Sequence, residues 1–126
     1  MVCKAGTLLV PSGTHHNPDQ KHLHIVCTDP DDQGEVVLVS VTTWTNDYCD
    51  DTCILLEHEH TWLSKPKSYV FYRKADFHEV AALVRGLEAG ELVEKDPCNA
   101  QVFLRVKNGL CKSKHTPRKV KRRLGC

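Results

Sequence analysis

Hydrophobic residues along this chain fall into short runs between polar turns, and most runs alternate with period two. Gly6-Thr7-Leu8-Leu9-Val10 reads as a first strand, ended by Pro11-Ser12-Gly13, and a polar loop follows from Thr14 to Gln20. In His22–Thr28, Leu23, Ile25 and Cys27 face one way, and His22, His24 and Thr28 the other. Asp29-Pro30-Asp31-Asp32-Gln33-Gly34 is a turn. The β-branched run Glu35–Thr43 predicts a central strand covered on both faces. Thr45–Thr52 is polar and reads as loop, and Cys53–Leu56 and Tyr69–Arg73 predict two further strands.

After residue 75 the period changes. Asp76 and Glu79 have capping-box spacing, Phe77, Val80, Ala81, Val84 and Leu87 follow as a helical stripe, and Gly90 ends it. Asp96-Pro97 predicts the start of a second helix, with Phe103, Val106 and Leu110 on its apolar face and Gly109 near its end. From Lys112 onward there is a proline at 117 and no apolar period, which predicts an extended, mobile tail. Five short strands before two helices make an α+β protein: a small curled antiparallel sheet or barrel with packed helices. The expected organisation is one compact domain over residues 1–111 and a basic tail over 112–126, whose removal should leave the fold intact.

The chain has 126 residues, 40% hydrophobic and 26% charged, which suits one globular domain and excludes a disordered or fibrous chain. A domain of this size buries roughly two thirds of its unfolded surface and needs no metal or disulfide staple. No run reaches the ~18 apolar residues of a membrane span. The opening Met1-Val2-Cys3-Lys4 leads into polar turns without a secretory pattern, so a cytoplasmic location is expected. The seven cysteines are odd in number and include no Cys-x-x-Cys pair, so they are expected as reduced, packed thiols. The net charge of +1 conceals a split. Residues 1–96 carry eight Lys/Arg against sixteen Asp/Glu (−8), while residues 97–126 carry nine Lys/Arg and no acid (+9).

Three segments resemble the PemK/MazF family of toxin endoribonucleases: Ala5–Val10 its opening strand, Lys21–Val26 its Arg-Pro segment with the apolar strand that follows, and Val37–Thr43 its apolar strand ending in a Thr pair. Lys67–Tyr72, before a helix, is similar to its Ser-containing strand, so the likeness covers about residues 5–90. The resemblance implies an SH3-like antiparallel β-barrel, often dimeric, that cuts RNA without a metal or cofactor and is neutralised by an antitoxin protein. The family's catalytic Arg falls on Lys21 and its catalytic Thr on Thr42. His22 stands where the family has proline.

The chemistry such cleavage needs is present among the residues. A base must take the ribose 2′-OH proton, a cation must stabilise the phosphorane, and an acid must protonate the leaving oxygen. Imidazole suits both proton roles. The expected arrangement has His22 and His60 sharing these roles, Lys21 as the cation, Thr42 at a strand end, and Ser68 and Tyr72 exposed on the next long strand. Cys49, Cys53, His58 and His60 could supply four zinc ligands, but their spacing matches no common zinc pattern, so no metal is expected. Lys112, Lys114, Arg118, Lys119, Lys121, Arg122 and Arg123 would meet phosphates with strong salt dependence, and no aromatic residue lies among them for base stacking. Two functions follow: a toxin-type endoribonuclease acting on single-stranded RNA, or a non-catalytic nucleic-acid or protein binding module with a basic tail.

Overall fold

The computed structural model describes residues 3–11, 23–59 and 66–126, with the β-branched run 35–43 near its centre. Its elements are β1 (Leu8–Pro11), β2 (Leu23–Val26), β3 (Glu35–Thr43), β4 (Ile54–Leu56), β5 (Lys67–Glu79), α1 (Val80–Glu88), β6 (Leu92–Lys95), α2 (Ala100–Lys112) and α3 (Arg118–Leu124). The strands form one antiparallel sheet in the order β4-β5-β3-β2-β1-β6. The α+β class agrees with the sequence. The sheet is open, with β4 and β6 as its edges, so the described strands do not close into a barrel. β6, which adds to β1, has no counterpart among the sequence expectations. No helix of the described residues is long and apolar enough to cross a membrane.

Alternation along β3 sorts the core into two layers. Val37, Val39 and Val41 join Leu23, Ile25, Val70 and Tyr72 on one face, under Val102, Val106 and Leu110 of α2 and Val120 of α3. Val36 and Leu38 join Leu9 and Val26 on the other, under Leu83 of α1 with Val80 and Leu87 beside it. At the Asp29–Gly34 turn, Asp31 Oδ1 accepts the backbone N–H groups of Gln33 at 2.9 Å and Glu35 at 3.0 Å. Gly34 supplies the positive φ of 74° that the turn requires.

A bulge in β5 reverses its side-chain phase. Ser40 pairs with Phe71, but Leu38 pairs with Asp76, leaving residues 72–75 opposite Val39. Val70 and Tyr72 before the bulge, and Ala75 and Phe77 after it, therefore face the same layer. Phe77 packs under α3, where the Arg123 guanidinium lies 3.8 Å from its ring centroid. This corrects the helical stripe: the buried face of α1 is built on Leu83 with Val80 and Leu87, Phe77 is not in the helix, and Ala81 is exposed. Asp76 is a strand residue, not a cap: it accepts the Phe77 N–H at 2.7 Å and pairs with Lys119 at 3.0 Å. The second helix starts later than Asp96-Pro97 suggests, because the Asn99 side chain caps it by accepting Gln101 N at 2.8 Å and Val102 N at 3.3 Å.

The C-terminal segment also differs from expectation. Residues 118–124 are helical, and Val120 is fully buried in the core. Lys119 and Arg123 reach back to the body, Arg123 pairing with Asp31 at 3.0 Å and Glu35 at 2.7 Å. Acidic and basic halves of the sequence thus meet inside one fold. Removing residues 112–126 would strip Val120 from the core and Ser113 from Asp50, which it meets at 2.6 Å. Cys111 and Cys126 are joined in a disulfide that ties α3 back to α2, whereas Cys3, Cys27, Cys49, Cys53 and Cys98 are free. Closing a loop of that length contributes about 3 kcal/mol in the chain-entropy model.

Tyr72 seats α2 on the sheet. Its hydroxyl donates to the Val106 carbonyl at 2.7 Å, and its ring crosses the helix at Gly109, where an added Cβ would collide with the Tyr72 Oη and Cζ atoms. Gly109→Ala should therefore cost about 1–3 kcal/mol in urea denaturation. Tyr72→Phe should cost about 1 kcal/mol through the lost hydrogen bond. Gly109→Ala should cost less in the Tyr72→Phe background, because the worst overlap has gone. A neutral Gly109→Ala variant would contradict this packing.

Candidate functional site

One half of the second sheet face is not covered by α1. The helix has nine residues, about 13 Å of rise. β3 also has nine, but extended they span about 30 Å. α1 reaches Val36 and Leu38, while Ser40 and Thr42 continue along the same face beyond it, half-exposed. The cross-strand register brings His24 beside Ser40, Phe71 beside Ser40 on the other flank, and Tyr69 between Thr42 and Ile54.

Aromatic rings and cations line this uncovered half. Trp44 meets Tyr69 edge to face at 5.6 Å between centroids, and Tyr69 meets Phe71 in the same manner at 6.1 Å. Tyr69 is the buried centre of the row, whereas Trp44 and Phe71 are half-exposed. Lys67 Nζ lies 4.1 Å from the Trp44 ring centroid at one end of the strip. At the other end Arg73 contacts His115 Nδ1 at 3.1 Å, on the turn between α2 and α3. Residues 67–73 of an extended strand span about 20 Å.

The loop over residues 45–53 borders the strip. Tyr48 is 97% exposed, and with Asp50, Tyr69, Phe71, Arg73 and His115 it lines an open cleft of about 250 Å³. Asp50 Oδ1 accepts from Thr52 N at 3.0 Å and Thr52 Oγ1 at 2.5 Å, and its Oδ2 accepts from Ser113 Oγ. Burial opposes ionisation of Asp50, but these hydrogen bonds outweigh it and lower its pKa. Hydrogen bonding from the Thr45 backbone, helped by the Asn46 backbone and the Thr45 and Tyr69 hydroxyls, lowers the Cys49 thiol to about 7. Burial, with Cys49 as hydrogen-bond partner, pushes Tyr69 up to about 12.

The expected catalytic residues fare differently. Lys21, His22 and His60 lie outside the described residues. Thr42 is on the uncovered face, cross-strand from Tyr69. Ser68 and Tyr72, expected as exposed, are 2% and 0% exposed, because they share the core-facing phase of β5 with Val70. A buried phenol already bound to Val106 cannot meet a substrate, so Tyr72 is structural. Among the described residues no group of three or more His, Cys, Asp or Glu side chains could hold a metal, and Cys53 is packed in the core.

Of the basic residues, Lys119 and Arg123 are occupied by body carboxylates. Lys112, Lys114, Arg118, Lys121 and Arg122 form no ion pair with the described residues, and all but the half-exposed Lys121 are exposed. Arg105, in α2, pairs with Glu59 and holds the helix to the β4 edge. The aromatic strip itself was missed by sequence reasoning. Its signal was the alternation Lys67-x-Tyr69-x-Phe71-x-Arg73, which sets aromatic and cationic residues on one strand face.

No protein-family model matches the chain, and no curated protein matches it either.

The bordering thiol gives a direct check on this geometry. A thiolate is the reactive form, so alkylation of Cys49 should rise with pH to a midpoint near about 7. Thr45→Val should move that midpoint upward by removing one hydroxyl partner. Cys27, fully buried and raised by burial, should stay unlabelled in the folded protein. A Cys49 midpoint at the ordinary thiol value of about 8.5 would contradict the described loop.

Proposed function

We propose that the protein binds single-stranded RNA along the Trp44–Tyr69–Phe71 strip. The observation that carries this reading is the row of aromatic rings bracketed by Lys67 and Arg73 on a sheet face that no helix covers. Unpaired bases offer flat faces to Trp44 and Phe71, while backbone phosphates need the cations at either end. The unpaired cations Lys112, Lys114, Arg118, Lys121 and Arg122 add a salt-dependent attraction. Lys114 is next in sequence to His115, so part of that charge adjoins the Arg73 end of the strip. A base-paired duplex hides its base faces and is a poorer ligand for such a strip.

A second reading keeps the strip and adds cleavage, as the PemK/MazF resemblance suggests. The observation that favours it is the placement of Thr42. β2 opens at Leu23 opposite Val41, one residue from Thr42, and His24 shares the uncovered face. In that reading Lys21 and His22 precede β2 as cation and proton carrier, with His60 as the second proton carrier. An SH3-like barrel would require the β4 and β6 edges to be bridged, and an antitoxin protein or a second copy would be a partner.

Fluorescence anisotropy with a labelled single-stranded RNA, its DNA equivalent and the RNA duplex tests both. The single-stranded RNA should bind, and the duplex should bind more weakly. Affinity should fall as salt rises from about 50 to 200 mM, and Lys67→Ala or Arg73→Ala should each flatten the log–log slope by about 0.7. Phe71→Ala should cost about 1–3 kcal/mol of binding while the far-UV spectrum is unchanged. Wild-type protein that binds no RNA, or a Phe71→Ala variant that binds as tightly, would refute the strip. Cleavage in EDTA that leaves a 2′,3′-cyclic phosphate and is lost in Thr42→Ala would establish the second reading, and RNA bound but intact would exclude it.

A further inference from the structure

The cleft at the Arg73 end of the strip has a chemistry of its own. Phe71 and the unpacked ring of Tyr48 offer flat apolar surfaces, and Asp50, Arg73 and His115 supply a polar edge. An ionised carboxylate offers about four acceptor positions. Asp50 uses two on Oδ1, for Thr52 N and Oγ1, and one on Oδ2, for Ser113 Oγ, which leaves one on Oδ2. Arg73 has five donor hydrogens and gives one nitrogen to His115 Nδ1. The cleft therefore offers a single anionic acceptor beside a donor fork, between aromatic walls. A phosphate would face the Asp50 carboxylate and be repelled, whereas a flat ring with a donor beside an acceptor satisfies both groups.

We propose that this cleft takes up one nucleobase carrying an exocyclic amino group next to a ring acceptor nitrogen, as in cytosine or adenine. The inference rests on single-stranded RNA lying along the strip, and it adds a selectivity that stacking alone does not provide. The amino group donates to Asp50 Oδ2, and the neighbouring ring nitrogen accepts from Arg73. Uracil has no amino group. Its edge sets a carbonyl oxygen where the donor is needed, so Asp50 loses a partner and faces a like-signed dipole. Hydrogen-bonding sites of this kind discriminate by about 1–3 kcal/mol, which is roughly 5- to 150-fold. Tyr48, held only through its backbone N–H to Asn46 Oδ1 at 2.8 Å, is free to stack on the outer face of the base.

Anisotropy with oligo(rC), oligo(rA), oligo(rU) and oligo(N4,N4-dimethyl-rC) of equal length tests the proposal on the intact protein. The expected result is that oligo(rC) and oligo(rA) bind about tenfold tighter than oligo(rU), and that dimethylation lowers oligo(rC) to the oligo(rU) level. Tyr48→Ala, at an exposed position that does not support the fold, should weaken oligo(rC) more than oligo(rU). If all four bind equally well, the cleft is not a base site although RNA binding on the strip stands. If none binds, RNA binding fails and the cleft proposal fails with it. A preference for oligo(rU), or a cytosine preference that survives dimethylation, would also overturn it.

Discussion

The contact between Tyr72 and Gly109 governs where the C-terminal third of the chain can lie. A phenol ring rises from the middle of β5, reaches the α2 backbone, and donates to the Val106 carbonyl at 2.7 Å. Only a residue without a side chain at 109 admits it. Once α2 is seated there, its end delivers Ser113 to Asp50 and His115 to Arg73, and α3 folds back to bury Val120. The wall of the cleft is therefore a consequence of core packing two turns away.

A second constraint is length. A nine-residue helix cannot cover a nine-residue strand, because a residue advances about 1.5 Å in a helix and about 3.3 Å in a strand. The sheet face beyond Leu38 is left to Ser40, Thr42, Tyr69 and Phe71, side chains that tolerate partial solvent contact. The proposed function occupies that uncovered stretch.

Charge is arranged to serve both ends. Lys119 and Arg123 neutralise Asp76, Asp31 and Glu35, so part of the basic segment is spent internally on docking α3. Exposed pairs of this kind are each worth little, but here they accompany a buried valine and a ring–guanidinium contact. The cations left over face outward, which keeps an otherwise acidic body compatible with an anionic ligand.

By itself the sequence determined the local periods. The β-branched run at 35–43 became the central strand, Leu23 and Ile25 faced the core as their alternation required, and Val106 and Leu110 marked the buried face of α2. Thr42 could be singled out because it ends that strand. What the tertiary structure decided were relations between distant residues. The β5 bulge reversed a phase that looks continuous in sequence, moving Phe77 to the opposite layer from α1 and leaving Asp76 in a strand. Ser68 and Tyr72 look like exposed strand residues because polar atoms suggest solvent, yet a hydroxyl with a carbonyl in reach is stable when buried. The tail read as extended because its seven-residue helix has only Val120 and Leu124 to bury, too few for a visible period. Its order comes from contacts with Phe77, Asp31 and Cys111, more than a dozen residues away in sequence, and no local pattern encodes partners at that distance.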